Sequence, residues 1–96
     1  MTYEETFNLS KDAVFRGRVS VACVHFANYI VDEPSTTPAH STRTRWAQQT
    51  LIAPEIAVQN CIASVVNDDA VQTAGGAPIT DEALQGAVET SINKLL

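Results

Sequence analysis

Basic residues are scarce in this chain of 96: six Lys and Arg stand against eleven Asp and Glu, a formal charge of −5. A dedicated nucleic-acid binder normally carries a basic domain or stripe, so this balance speaks against one. Aromatics are few as well, at 6% of residues, while alanine and valine are plentiful; that composition suits thin helices packed closely. Cys23 and Cys61 are the only cysteines, too few for a disulfide framework and without CxxC spacing. Lying within apolar segments, they read as buried free thiols of a reducing compartment. No apolar run approaches the ~20 residues that span a bilayer. The N-terminal MTYEETFNLS is acidic and lacks the apolar centre of a secretory signal, so synthesis in the cytoplasm is expected.

What remains is one domain's worth of folding sequence, residues 1–96, with charge unevenly placed. Residues 10–45 carry five bases against three acids, whereas residues 46–96 carry Lys94 against six acids. Two readings stay open: a protein whose two faces meet different or complementary neighbours, or the uneven fall of charge in a short chain.

Apolar periodicity predicts an all-α fold, a small bundle of about four helices with a long first one. That first helix is expected from about Lys11 to Asp32, with Ser10 as N-cap and Leu9 stapled onto Val14. Phe15, Val19, Ala22, Cys23, Phe26 and Ile30 form its main stripe. Val21, Val24 and Val31 point elsewhere, so most of its circumference is apolar; it is then either central or covered by another subunit. Gly17 costs about 1 kcal/mol in a helix interior relative to Ala, which leaves two readings open, a close backbone approach or a tolerated imperfection.

DEPSTTP ends this helix, and Thr37-Pro38 fits the N-cap and N1 of a second one reaching Ile52. Pro54 stops the second and starts a third, with Val58, Cys61, Ile62, Val65 and Val66 inward. Residues 68–79, with Gly75-Gly76 and Pro78, read as a loop. Thr80 caps a fourth helix whose apolar stripe is Leu84, Val88, Ile92 and Leu95, with Ile79 stapled onto Leu84.

Arg43, Arg45 and Trp46 raise the question of a phosphate-contacting and base-stacking surface, which Arg16 and Arg18 could extend. The competing reading makes Trp46 the anchor of the second helix on the first. The arginines then flank that seam and pair with Asp32, Glu33 or acids of a neighbour. No enzyme is expected. Cys23 and His25 stand two apart on a helix and diverge, so they cannot act together as nucleophile and base. Asp68 and Asp69 lack the alternating oxygens of a calcium loop, and AGGAP lacks the Lys-Ser/Thr of a P-loop. His25 and His40 read as a core-edge and a first-turn residue; no catalytic, metal or cofactor site is expected.

The run FRGRVSVACVHFANYIVDE, followed after a short loop by HSTRTRWAQQTLIAPE, resembles small helical proteins encoded among the virion genes of tailed bacteriophages. Phe15, Arg16, Arg18 and Val19 carry the likeness, with the alanine- and valine-rich helix to Glu33. His40, Arg43 (or Arg45), Trp46-Ala47, Leu51 and Pro54 continue it. It covers roughly residues 9–66, with a looser match at ITDEALQGAV. The resemblance implies a structural protein of the particle, of the head–tail connector or neck type, assembling as a ring and localised to the virion. Its partners would be copies of itself and portal, capsid or tail proteins, with neither a membrane nor specific nucleic-acid recognition involved. Arg16, Arg18, Val24, Val31, Arg43, Arg45 and Trp46 are the candidate interface residues. A capsid- or tail-associated accessory protein is the alternative within the structural class, and a small nucleic-acid-binding regulator the alternative outside it.

Overall fold

A computed structural model describes residues 1–34 and 38–96, the side chains of residues 38 and 39 excepted, so the expected Thr37 cap lies outside the described residues. Among the described residues the chain is all-helical, with six helices: α1 Tyr3–Lys11, α2 Ala13–Asp32, α3 Pro38–Ile52, α4 Pro54–Val66, α5 Asp69–Ala74 and α6 Asp81–Leu95. The four expected helices are there as α2, α3, α4 and α6.

The two additional helices arise from local polar signals. Thr2 and Glu5 form a reciprocal capping box, the Glu5 amide donating to the Thr2 hydroxyl at 3.1 Å and the Thr2 amide to the Glu5 carboxylate at 3.2 Å. This starts α1 in a segment for which the sequence pattern predicts no helix. The helix breaks at Asp12, which is extended (φ −69°, ψ 122°). Asp12, and not Ser10, is the N-cap of α2, its carboxylate accepting from the Phe15 amide at 2.7 Å. Ser10 instead closes α1, donating its hydroxyl to the Phe7 carbonyl at 2.6 Å. The Leu9–Val14 staple fails with that shift in register: Leu9 is buried, but Val14 is 75% exposed.

Residues 68–79 likewise hold more than a loop. Asp68 caps α5, accepting from the Ala70 amide at 2.9 Å. The helix ends at Gly75, left-handed at φ +81°, as the Gly76 amide reaches back to the Val71 carbonyl at 2.9 Å. The expected glycine breaker is thus the C-cap of a short helix. Thr80 caps α6 as expected, accepting from the Ala83 amide at 3.2 Å, and Ile79 and Leu84 are both in the core. Leu95, by contrast, is 54% exposed and lies outside the core stripe.

Helix α2 is the hub, packing against α3, α4 and α6. Its predicted stripe is wholly buried, joined by Ala27, and meets Val58, Cys61, Val65 and Val66 of α4 and Leu84, Val88 and Ile92 of α6 in one core. Helix α3 runs back along α2, placing Trp46 on Phe26 with ring centroids 5.8 Å apart. Helix α5 ties down the base: the Gln72 side-chain amide donates to the Thr6 hydroxyl of α1 at 3.1 Å and to the Val66 carbonyl of α4.

Candidate interaction surfaces

The seven sequence-predicted interface residues do not form one patch. Arg16 lies at the α1–α2 break, donating to the Ser10 carbonyl at 2.8 Å. Arg18 is a strap between α2 and the start of α6. It donates to the Ala77 carbonyl at 2.8 Å, the Ile79 carbonyl at 2.6 Å and the Asp81 carboxylate at 2.8 and 3.3 Å. Arg43 occupies the opposite end of α6, 3.6 Å from the Glu33 carboxylate and 3.2 Å from the Asn93 side-chain oxygen. Its guanidinium stands 5.7 Å over the Phe26 ring. Asp81 and Asn93 mark the two ends and lie twelve residues apart on α6, about 18 Å along its axis, so Arg18 and Arg43 present no joint basic surface. The pairing of Arg43 with Glu33 is one of those the sequence suggested.

Trp46 is half-buried against Phe26, as an anchor is, while Arg45 is exposed. Val24 is half-buried, and Val31 is exposed on the side of α2 that faces away from the core. His25 is exposed as well and is no core-edge residue. His40 stays in the first turn of α3, its Nε2 3.2 Å from the Thr44 hydroxyl. Around Gly17 an added Cβ would meet nothing within 4 Å, so among the described residues there is no close backbone approach there.

Cys23 and Cys61 face each other across the α2–α4 contact with their sulfurs 3.9 Å apart, both free and without exposure. The hydrogen bond to Cys61, and then burial, push the Cys23 thiol above its ordinary range, so it stays protonated. Among the described residues no group of three or more His, Cys, Asp or Glu is placed to hold a metal ion, and no helix is long and apolar enough to cross a membrane.

Two grooves escape the sequence reading. At the α3–α4 corner a groove of about 280 Å³ is lined by Trp46, Thr50, Ile52, Ala53 and Ile56, with Ile52 85% exposed. The apolar run LIAPEI, straddling the Pro54 corner, was its available signal: a helix that ends in Leu-Ile and restarts at once cannot turn all of these residues inward. The second feature lies between α1 and α4, where Tyr3, Phe7, Lys11, Arg16, Ile62 and Val66 line a wider groove of about 470 Å³. It was invisible while α1 was not expected. Comparison with protein-family models, curated proteins and solved structures returned no match.

Proposed function

We propose that this chain is a non-enzymatic structural subunit of a tailed-phage particle, working by association with copies of itself and with neighbouring virion proteins. The observation that carries the proposal is an imbalance within one small fold. The core is sealed, with no buried side-chain polar atom lacking a partner among the described residues, yet valines and isoleucines stand exposed on two separate sides. These are the outer face of α2 and the α3–α4 corner. Contiguous exposed apolar surface marks contact sites, and two different sites on one molecule are what a head-to-tail ring requires. The resemblance of residues 9–66 to small phage virion proteins supplies the biological setting, and within it a connector or neck position suits a ring-forming subunit.

Placing the bases in intrachain contacts weakens the nucleic-acid alternative: Arg16, Arg18 and Arg43 each serve a partner within the fold, and Trp46 is packed on Phe26. The test is the mass of the purified chain by light scattering over a wide concentration range, with electron microscopy of any large species and of co-expressed portal and neck proteins. A discrete ring, alone or on its template, is the expected result. A chain that is monomeric throughout, absent from assembled particles and retained on DNA with a steep salt dependence would refute the proposal.

A further inference from the structure

The outward face of α2 has a register of its own. Val14, Gly17, Val21, Val24, Asn28 and Val31 follow one another at alternating steps of three and four, the a and d positions of a heptad repeat. The core of the monomer uses the other side of the helix, through Phe15, Val19, Cys23, Phe26 and Ile30. All six heptad positions are exposed or half-buried, Val21 at 68%. A surface helix facing only water has no reason to keep four valines in a seven-residue repeat, because valine is a weaker helix former than the polar straight-chain residues. Nor does the fold explain Gly17, since among the described residues nothing lies within 4 Å of where its Cβ would stand.

We infer that this face is a seam for a second copy of the same chain, with two α2 helices packed antiparallel about a twofold axis. The inference rests on the α2 face alone and holds whether or not the particle is that of a phage. Antiparallel pairing matches each a position with a d position. Val14 then meets the partner's Val31, Gly17 the partner's Asn28 and Val21 the partner's Val24, and the other three layers follow by symmetry. Each amide side chain faces a glycine, which gives it room to turn toward solvent at the seam's edge. Gly17 is thereby explained as the small member of a mixed layer.

Layer composition and the helix dipoles set the direction. A parallel pair would set Gly17 beside the partner's Gly17, Asn28 beside the partner's Asn28 and the acidic Asp32 beside the partner's Asp32. The antiparallel pair keeps the two Asp32 side chains at opposite ends and opposes the two helix dipoles; Arg18, which flanks the seam, is already held by Asp81 of its own chain. Size sets the strength. Twenty residues make a helix about 30 Å long, and two such strips bury roughly 1,000 Å² in total, the threshold of a specific interface. The contact is therefore a reversible one, and in a larger assembly it acts beside other contacts.

Sedimentation equilibrium of the whole chain, up to about 1 mM so that weak pairing is seen, tests the seam with Val21→Lys and Gly17→Lys. Both positions are exposed, and lysine is the better helix former at each, so the variants keep or raise the melting temperature. Each substitution enters the interface twice, and a loss of about 100-fold or more in pairing affinity is expected, roughly tenfold per site. Direction is read by disulfide trapping: a mixture of Val21→Cys and Val24→Cys chains crosslinks efficiently, while either alone does so poorly. The inference is overturned by a wild-type chain that stays monomeric at the highest concentration. It is equally overturned by an oligomer whose mass neither lysine variant changes, a result that leaves self-association intact and sinks only the seam. Efficient crosslinking of Val21→Cys with itself would overturn the antiparallel arrangement.

Discussion

Removing the Arg18 side chain should cost more than its one visible ion pair suggests. The partner carboxylate, Asp81, is 85% exposed, and an ion pair of that kind contributes about 0.2–1 kcal/mol. The two carbonyl contacts weigh more. Bonds from a charged donor are worth about 1.5–3 kcal/mol when buried. The bond of Arg18 to Ile79 is part-buried and that to Ala77 is exposed, so about half that value is appropriate to the first and less to the second. Arg18→Ala should therefore lose about 2 kcal/mol, and Asp81→Asn under about 1 kcal/mol, including its few tenths at the α6 N-terminus. Arg18→Lys keeps the charge without the planar fork that reaches three acceptors, and should recover less than half of the loss. In urea, with a slope near the lower end of the range for small domains, the Arg18→Ala midpoint should fall by about 1–2 M. The assay is equilibrium unfolding followed by Trp46 fluorescence, below the concentration at which chains associate. If Asp81→Asn costs as much as Arg18→Ala, the ion pair dominates and the carbonyl strap is misjudged.

The Glu5 carboxyl should titrate below its ordinary value of 4.5, because the Thr2 hydroxyl contact and the Thr2 amide both favour its charged form. This contribution to α1 is complete above the ordinary value and is lost as pH falls through the lowered one. An NMR titration should show it, and Thr2→Ala should return Glu5 toward 4.5; an unchanged titration would refute the capping box. Cys23 and Cys61, both wholly buried, should resist a thiol reagent in native buffer and react together once urea opens the α2–α4 contact. Labelling of either at the rate of an unfolded chain would show that the contact is not closed. Gly75 and Gly76 both have positive φ, but only at Gly76 would an added Cβ meet neighbours, Leu9 at 3.0 Å and Met1 at 3.1 Å. Gly75→Ala should cost about 1–2 kcal/mol from backbone strain alone. Gly76→Ala should cost at least as much and lower hydrogen-exchange protection in α1; a milder effect at Gly76 would contradict that packing.

The long-range pattern of this fold was legible wherever burial alone decided it. The stripes of α2 and α4 could be read residue by residue, because a helix facing one core repeats its apolar positions with one period. The anchoring of Trp46 and the pairing of Arg43 with Glu33 were legible for the same reason, since they follow from α3 running back along α2. What escaped depends on a single polar side chain choosing between neighbouring roles. Ser10 and Asp12 are both good N-caps, and the choice of Asp12 splits one expected helix into α1 and α2. The Thr2–Glu5 box and the Asp68 cap were in the sequence as spacing, but short helices carry too few apolar positions to show a period. Leu95 and His25 went astray because period places a residue on a face without saying how far the neighbouring helices extend over it. The interface candidates mixed two kinds of residue for that reason: Arg16, Arg18 and Arg43 have polar partners inside the fold, whereas Val31 is exposed and Val24 only half-buried.

The two apolar surfaces have different consequences for assembly, and their difference constrains any ring. A twofold seam along α2 uses the same residues on both copies and so closes at two; by itself it can never build a ring. A ring needs a second contact that joins unlike surfaces; with α2 taken by its own copy, the α3–α4 corner, with Ile52 and Ile56 beside the Trp46 groove, supplies one half and the groove between α1 and α4 is available as the other. If both operate, the assembly is dihedral: head-to-tail contacts through the corner close each ring, and the α2 seams hold two rings together. If a portal or neck protein covers α2 instead, the seam is a resting contact that the partner displaces. Its low area suits that exchange, because a contact near 1,000 Å² yields readily to a larger one. The two lysine variants separate these cases. Rings that survive Val21→Lys but stack no longer show the corner to be the ring contact, whereas rings lost altogether show that α2 itself faces a ring neighbour.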